Sequence, residues 1–275
     1  LKQFSILILL TGFTFFVPGC YLIKQAVYDN PRTEVVSPPP MPLTEVKIYY
    51  SGGIIQGWLN KTAPSTDATP VVLYLHGNND NLQTMLRKKV FAEFAKMKVN
   101  LLAVDYPGYG NSSGIPNEKN VVESTDSALA FIKKEFPSNP KFLIGYSIGA
   151  AVTVQTALKY QSDIKGVALI SPWVSIDSMV ALHYPRWMVT MFLKDKYAII
   201  PAAENLEVPT LVLHGEMDRS VPFTQGKKVA DALPQLKKWQ ILKGTDQNNL
   251  FLNQKLWESL SAFIRYPEID WNQRE

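Results

Sequence analysis

Five short apolar runs leave this chain few folds to choose from. They are Val71–Leu75 (VVLYL), Leu101–Val104 (LLAV), Phe142–Ile144 (FLI), Val167–Ile170 (VALI) and Leu211–Leu213 (LVL). A run without polar alternation suits a parallel strand buried on both faces. Helical periodicity recurs between and after them, over Leu82–Met97, Val121–Phe136, Ala150–Tyr160, Gln225–Leu233 and Leu250–Ile264. Strand–helix alternation predicts a doubly wound, mostly parallel sheet with helices on both faces. In such sheets functional groups gather at the carboxyl ends of the strands. Ahead of these runs, Glu45–Tyr50 and Ile54–Leu59 alternate around Ser51-Gly52-Gly53, the pattern of a β-hairpin.

Composition narrows the chemistry. With 275 residues and 46% of them apolar, the chain can bury a core without staples. The single cysteine excludes an internal disulfide and a cysteine-cluster zinc site, and three histidines leave little for a histidine-based metal site. Net charge is only +4 and no Lys/Arg block exceeds three residues, which argues against nucleic acid as a partner. No phosphate-binding loop or dinucleotide fingerprint occurs, so no cofactor is expected.

Phe4–Val17 is an uncharged, largely apolar run with Lys2 ahead of it. As a helix it spans roughly 21 Å, short of a hydrocarbon core of roughly 30 Å, and it fits the core of a signal peptide. Val17-Pro18-Gly19-Cys20 resembles a bacterial lipoprotein cleavage box, with Pro18 departing from the usual residue at that place. On that reading residues 1–19 are the signal and Cys20 is lipidated. The other reading is an uncleaved anchor helix. Both place the protein on a membrane of the bacterial cell envelope, outside the cytoplasm. Pro31, Pro38-Pro39-Pro40 and Pro42 make residues 20–43 an extended tether to a domain over residues 44–275. Within that domain, residues 173–205 do not alternate and are rich in bulky side chains. They read as a helical cap over a pocket, or as ordinary core.

Gly145-Tyr146-Ser147-Ile148-Gly149 falls between a strand and a helix. There G-x-S-x-G forms a sharp turn that lifts the serine hydroxyl above the sheet, beside a helix amino terminus that favours negative charge. His76-Gly77-Asn78-Asn79 ends an earlier strand, and the N–H of Asn78 pairs with that of Ile148 as an expected oxyanion hole. Asp105–Gly114 ends the next strand as a glycine-rich loop. Leu213-His214-Gly215-Glu216-Met217-Asp218 ends a late strand and offers a carboxylate.

Together these motifs resemble the α/β-hydrolase superfamily, in the branch of serine aminopeptidase-like proteins and membrane-anchored esterases, over roughly Glu45 to Tyr266. The resemblance implies a mostly parallel central sheet with a small helical cap. It makes Ser147 the nucleophile and Asp218 the triad acid, in an esterase or thioesterase acting on small-molecule or lipid-like acyl substrates. His76 and His214 fall in strand-end His-Gly motifs and read as loop-shaping residues.

The triad histidine has no counterpart. In the family it stands in the loop before the last helix. Here that loop is Lys243-Gly244-Thr245-Asp246-Gln247-Asn248-Asn249, with Gln247 at the histidine position and no histidine after His214. A glutamine amide hydrogen-bonds to a serine but accepts no proton near neutral pH. Removing that histidine alone from a serine protease costs on the order of 10⁶ in kcat. Four alternatives follow: a slow or non-catalytic protein with an acyl ligand or partner in the cleft, a substitute base at His183 in the cap, a weak base at Asp246, or a sequence variant of an ordinary hydrolase in which Gln247 replaces the histidine.

Overall fold

The computed structural model describes Tyr28, residues 39–181 and residues 194–271. Cys20 and His183 lie outside the described residues. Strand β1 (Thr44–Tyr50) and strand β2 (Gly53–Asn60) form the expected hairpin, antiparallel, with Tyr50 opposite Gly53. Alternation in β1 has its usual cause, since Ile48 is buried while Lys47 and Tyr49 face outward.

The remaining strands are β3 (Val71–Leu75), β4 (Asn100–Val104), β5 (Lys141–Tyr146), β6 (Gly166–Ile170), β7 (Thr210–Gly215) and β8 (Leu236–Leu242). They join one eight-stranded sheet in the order β1-β2-β4-β3-β5-β6-β7-β8. Only the β1–β2 and β2–β4 pairings are antiparallel. Every residue of β3, β4, β6 and β7 is buried, which is why these strands carry almost no polar residues. The edge strand β8 is largely half-buried and tolerates Lys237, Lys238 and Gln240.

Neighbouring strand residues feed opposite sides of the sheet. Val71, Leu73 and Leu75 join one core cluster, while Val72 and Tyr74 join the other. Helices cover both sides: α1 (Leu82–Arg87), α2 (Val90–Lys96), α3 (Glu118–Glu135), α4 (Ile148–Lys159), α5 (Ile176–Val180), α6 (Ile200–Ala203), α7 (Phe223–Asp231) and α8 (Gln254–Arg265). Buried residues of α4 pack with the first cluster, and those of α2 and α8 with the second. This is the α/β-hydrolase fold. None of the described helices is long and apolar enough to cross a membrane.

Two expected helices differ from the sequence reading. Leu82–Met97 is two helices, broken at Lys89, whose φ is 61°. An unbroken helix would carry the stripe of Leu82 and Met85 on to Lys89 and bury a cation. The break instead turns Val90, Phe91 and Phe94 inward. Leu250–Ile264 opens as a separate 3-10 turn over Leu250–Leu252. The α-helix starts afresh behind Asn253, whose side chain accepts from the Lys255 N–H.

Candidate active site

Ser147 occupies the tight turn between β5 and α4, with φ 54° and ψ −117°. Positive φ in a side-chain-bearing residue costs about 1–3 kcal/mol, so the surroundings must enforce it. The Ser147 N–H donates to the Ile170 carbonyl at 2.9 Å, and its own carbonyl accepts from the Ala150 N–H at 2.9 Å. A Cβ on Gly145 would overlap the Gly149 carbonyl, and one on Gly149 would overlap the Leu75 carbonyl. Close packing of α4 across β3 and β5 therefore demands both glycines of the G-x-S-x-G sequence.

Ser147 opens into a cleft of about 320 Å³ whose polar lining includes Asn78, Asp218 and Gln247. Ile148, Trp173, Ile176, Met179, Val180 and Val221 supply the apolar wall. Asn78 follows β3 and Ile148 opens α4, so both flank Ser147. The first N–H groups of a helix have no intrahelical partner and carry its positive end. Tyr109, from the glycine-rich loop after β4, donates its hydroxyl to Asn78 Oδ1 at 2.7 Å. Tyr106 in the same loop donates to the His76 carbonyl at 2.8 Å. Sequence reasoning flagged that loop by its glycines and missed Tyr109 as the support behind Asn78.

Asp218 lies in the turn after β7 and is mostly buried. Its Oδ1 accepts from the N–H groups of Ser220 and Val221, at 3.0 and 2.9 Å. His214 Nε2 donates to the Val221 carbonyl at 2.8 Å and pins the far end of that turn. Burial pushes its pKa down.

His76 is fully buried under the Asn78 loop. Its Nδ1 lies 2.7 Å from the Gly77 carbonyl, which fixes the proton on Nδ1. Its Nε2 lies 3.5 Å from Asp105 Oδ1, while the Leu82 N–H donates to the same oxygen at 2.8 Å. Desolvation pushes His76 down to about 4 and Asp105 up to about 8. Both are then largely neutral at pH 7. Neither His76 nor His214 lines the cleft.

Gln247 reaches the cleft from the loop between β8 and α8. Its neighbour Asp246 does not line it. Asp246 Oδ1 accepts from the N–H groups of Asn248 and Asn249, at 2.8 and 3.1 Å. Those bonds lower its pKa, the wrong direction for a general base, and give it the geometry of a turn carboxylate. The structure thus brings together Ser147, Ile148, Asn78, Asp218 and Gln247, and leaves Asp246 outside. No group of three His, Cys, Asp or Glu side chains that could hold a metal occurs among the described residues.

The sheet order, the tight serine turn and the cleft at the carboxyl edge are those of the α/β-hydrolase fold. The family model described as serine aminopeptidase, S33, matches residues 66–199. That match takes in Ser147 and ends before Asp218 and Gln247. The mouse alpha/beta hydrolase domain-containing protein 17C is 29% identical over 208 residues, covering 75% of this chain and 62% of that protein. Human protein ABHD12B is 29% identical over 181 residues, covering 59% of this chain and 49% of that one. The chain thus spans about half to three fifths of the length of these relatives. Among solved structures, the Pyrococcus furiosus esterase Pf2001 superposes with a TM-score of 0.68 at 19% identity, over 86% of this chain and 98% of that one. Est1E from Butyrivibrio proteoclasticus, solved with ferulic acid bound, gives 0.63 at 14% identity, over 80% and 96%. These two likenesses concern the fold. The chain is similar in sequence to these proteins and shares the α/β-hydrolase fold with the solved structures.

Proposed function

We propose that this protein is a membrane-anchored serine hydrolase of the esterase or thioesterase type, acting on acyl substrates and slowed by the glutamine at the place of its triad histidine. The observation that carries the reading is Ser147 held at φ 54° at a cleft that Asp218 and Gln247 also line. Nothing about folding alone requires that combination, and a strained serine in a pocket suits a nucleophile.

In this reading the Ser147 Oγ attacks the acyl carbonyl. The developing oxyanion is held by the N–H groups of Ile148 and Asn78, with the acyl chain along Trp173, Ile176 and Met179. Gln247 orients Oγ by a hydrogen bond and leaves its proton to solvent; the tetrahedral adduct collapses as the alcohol or thiol leaves with a proton from solvent, and water then cleaves the acyl-serine bond to release the acid. An oxyanion hole and pocket without a base still supply roughly 10³ over water. Asp218 is the acid of a triad whose middle member is missing. Lipidation at Cys20, or an uncleaved apolar anchor, holds the protein at the envelope membrane.

Gln247 also favours a second reading, in which the cleft binds an acyl ligand or a partner without turnover. A fluorophosphonate probe separates the two. Slow labelling of the parent protein that vanishes in Ser147→Ala supports the hydrolase. An unlabelled parent, with labelling restored by Gln247→His, supports the binding protein. Absence of labelling in both would remove the nucleophile reading altogether. His183 enters as a substitute base only if His183→Ala lowers the labelling rate.

A further inference from the structure

Ahead of the domain, Tyr28 packs against Tyr197, which in turn packs against Trp173. The Tyr28 side chain is buried, and its hydroxyl donates to Asp195 Oδ2 at 2.7 Å and lies 3.1 Å from the Tyr197 hydroxyl. The Tyr28 ring meets Tyr197 edge-on, and Tyr197 meets Trp173 the same way, with centroids 6.5 and 6.4 Å apart. Trp173 walls the cleft. A buried, hydrogen-bonded tyrosine is a fixed point for the chain that carries it. From Cys20 to Tyr28 the chain reaches at most roughly 28 Å. A lipid carried on Cys20 would therefore lie within roughly 28 Å of Tyr28.

A second, independent observation concerns the carboxyl edge of the sheet. Eight large hydrophobic side chains are exposed among the described residues, and four of them lie in the segments that follow β4, β7 and β8: Ile115 (67%), Met217 (55%), Phe223 (38%) and Leu252 (78%). Met217 and Phe223 flank Asp218 in sequence. Leu252 follows Phe251, whose ring packs on Tyr146 beside Ser147. Arg219 and Lys243 are exposed among them. The neighbouring acids are turned to backbone donors, Glu216 to the Gly244 N–H and Asp246 to those of Asn248 and Asn249. Apolar tips with cations and carboxylates in equal number among them suit an interface of acyl chains and zwitterionic headgroups.

We infer that the carboxyl edge of the sheet docks on a lipid bilayer, held by the arm clamped at Tyr28 and by shallow insertion of Met217, Phe223 and Leu252. The cleft mouth then faces the bilayer, and the acyl group reaches Ser147 from the membrane. The inference rests on the anchor and on the acyl cleft proposed above.

Its test needs no turnover. The full chain carrying Met217→Cys or Leu252→Cys is labelled with an environment-sensitive dye and reconstituted into vesicles of phosphatidylethanolamine and phosphatidylglycerol. Ser138→Cys, ahead of β5 at the opposite edge, is the control, and the parent with Cys20 alone is the baseline. Spin-labelled lipid should quench the dye at residues 217 and 252 at least fivefold more than at residue 138. Tyr28→Ala should shrink that difference. Equal quenching at the two edges, or no effect of Tyr28→Ala, would overturn the inference. Fluorophosphonate labelling of the same samples reports on the nucleophile separately, so either reading can fail alone.

Discussion

Gly149, in the first turn of α4, lies so close to the end of β3 that a Cβ there would overlap the carbonyl oxygen of Leu75. Two backbones in contact leave no flexible side chain to yield. The helix would have to shift, and Ser147 with it.

Gly149→Ala should therefore cost about 3 kcal/mol of stability, at the upper end of ordinary overpacking. It should also slow fluorophosphonate labelling of Ser147. Urea midpoints and labelling rates check the pair. An unchanged midpoint would mean that α4 does not press on β3.

Gln247→His restores a group able to take the Ser147 proton. Turnover of a short-chain ester should rise by about 10²–10⁴. Because the base works only when neutral, the new rate should climb with pH through about 6.5. Adding Ser147→Ala should erase the gain. A gain that survives that change would place the new activity elsewhere.

Tyr109→Phe removes one hydroxyl and keeps the ring packed beside His76 and Tyr106. Asn78 loses the donor on its Oδ1. A lost hydrogen bond of this kind is worth about 1 kcal/mol, so labelling should slow by roughly three- to tenfold. Unaltered labelling would show that Asn78 is held without Tyr109.

Asp105 and His76 give the fold a pH signature. Folding raises Asp105 to about 8, so its contribution is full at acid pH and is lost as pH rises toward 8. Folding lowers His76 to about 4, so its contribution is present above 6.5 and is lost as pH falls toward 4. The two slopes oppose each other below about 6.5, and Asp105 acts alone from there to about 8. Stability should drop across that upper interval by up to about 2 kcal/mol. Asp105→Asn keeps an acceptor for the Leu82 N–H and cannot ionise. Its stability should be flat from pH 6.5 to 8 and should fall below 6.5. Urea melts at three pH values decide, and a parent whose stability is constant from 6.5 to 8 would refute the buried neutral acid.

The fold was readable because burial on two faces removes polar residues from a strand, and that leaves a local mark in β3, β4, β6 and β7. The elbow was readable for a similar reason, since the glycines that the α4 crossing demands are neighbours of Ser147. The lack of a histidine in the loop around Gln247 was likewise written locally. Other features left no such mark. The break at Lys89 carries no glycine, and only the need to keep Lys89 out of the core explains it.

By itself the sequence determined seven of the eight strands, the serine-bearing turn and the absence of a histidine after residue 214, because each is written in adjacent residues. Tertiary structure alone decided that Asp218 and Gln247 reach the same cleft, that Asp246 turns away, that His76 and His214 are buried as neutral braces, and that Tyr28 comes back to Tyr197. Those outcomes depend on strand order and on the paths of loops between distant segments. Periodicity reports which face of an element is buried, and it says nothing about which remote residue will lie against it.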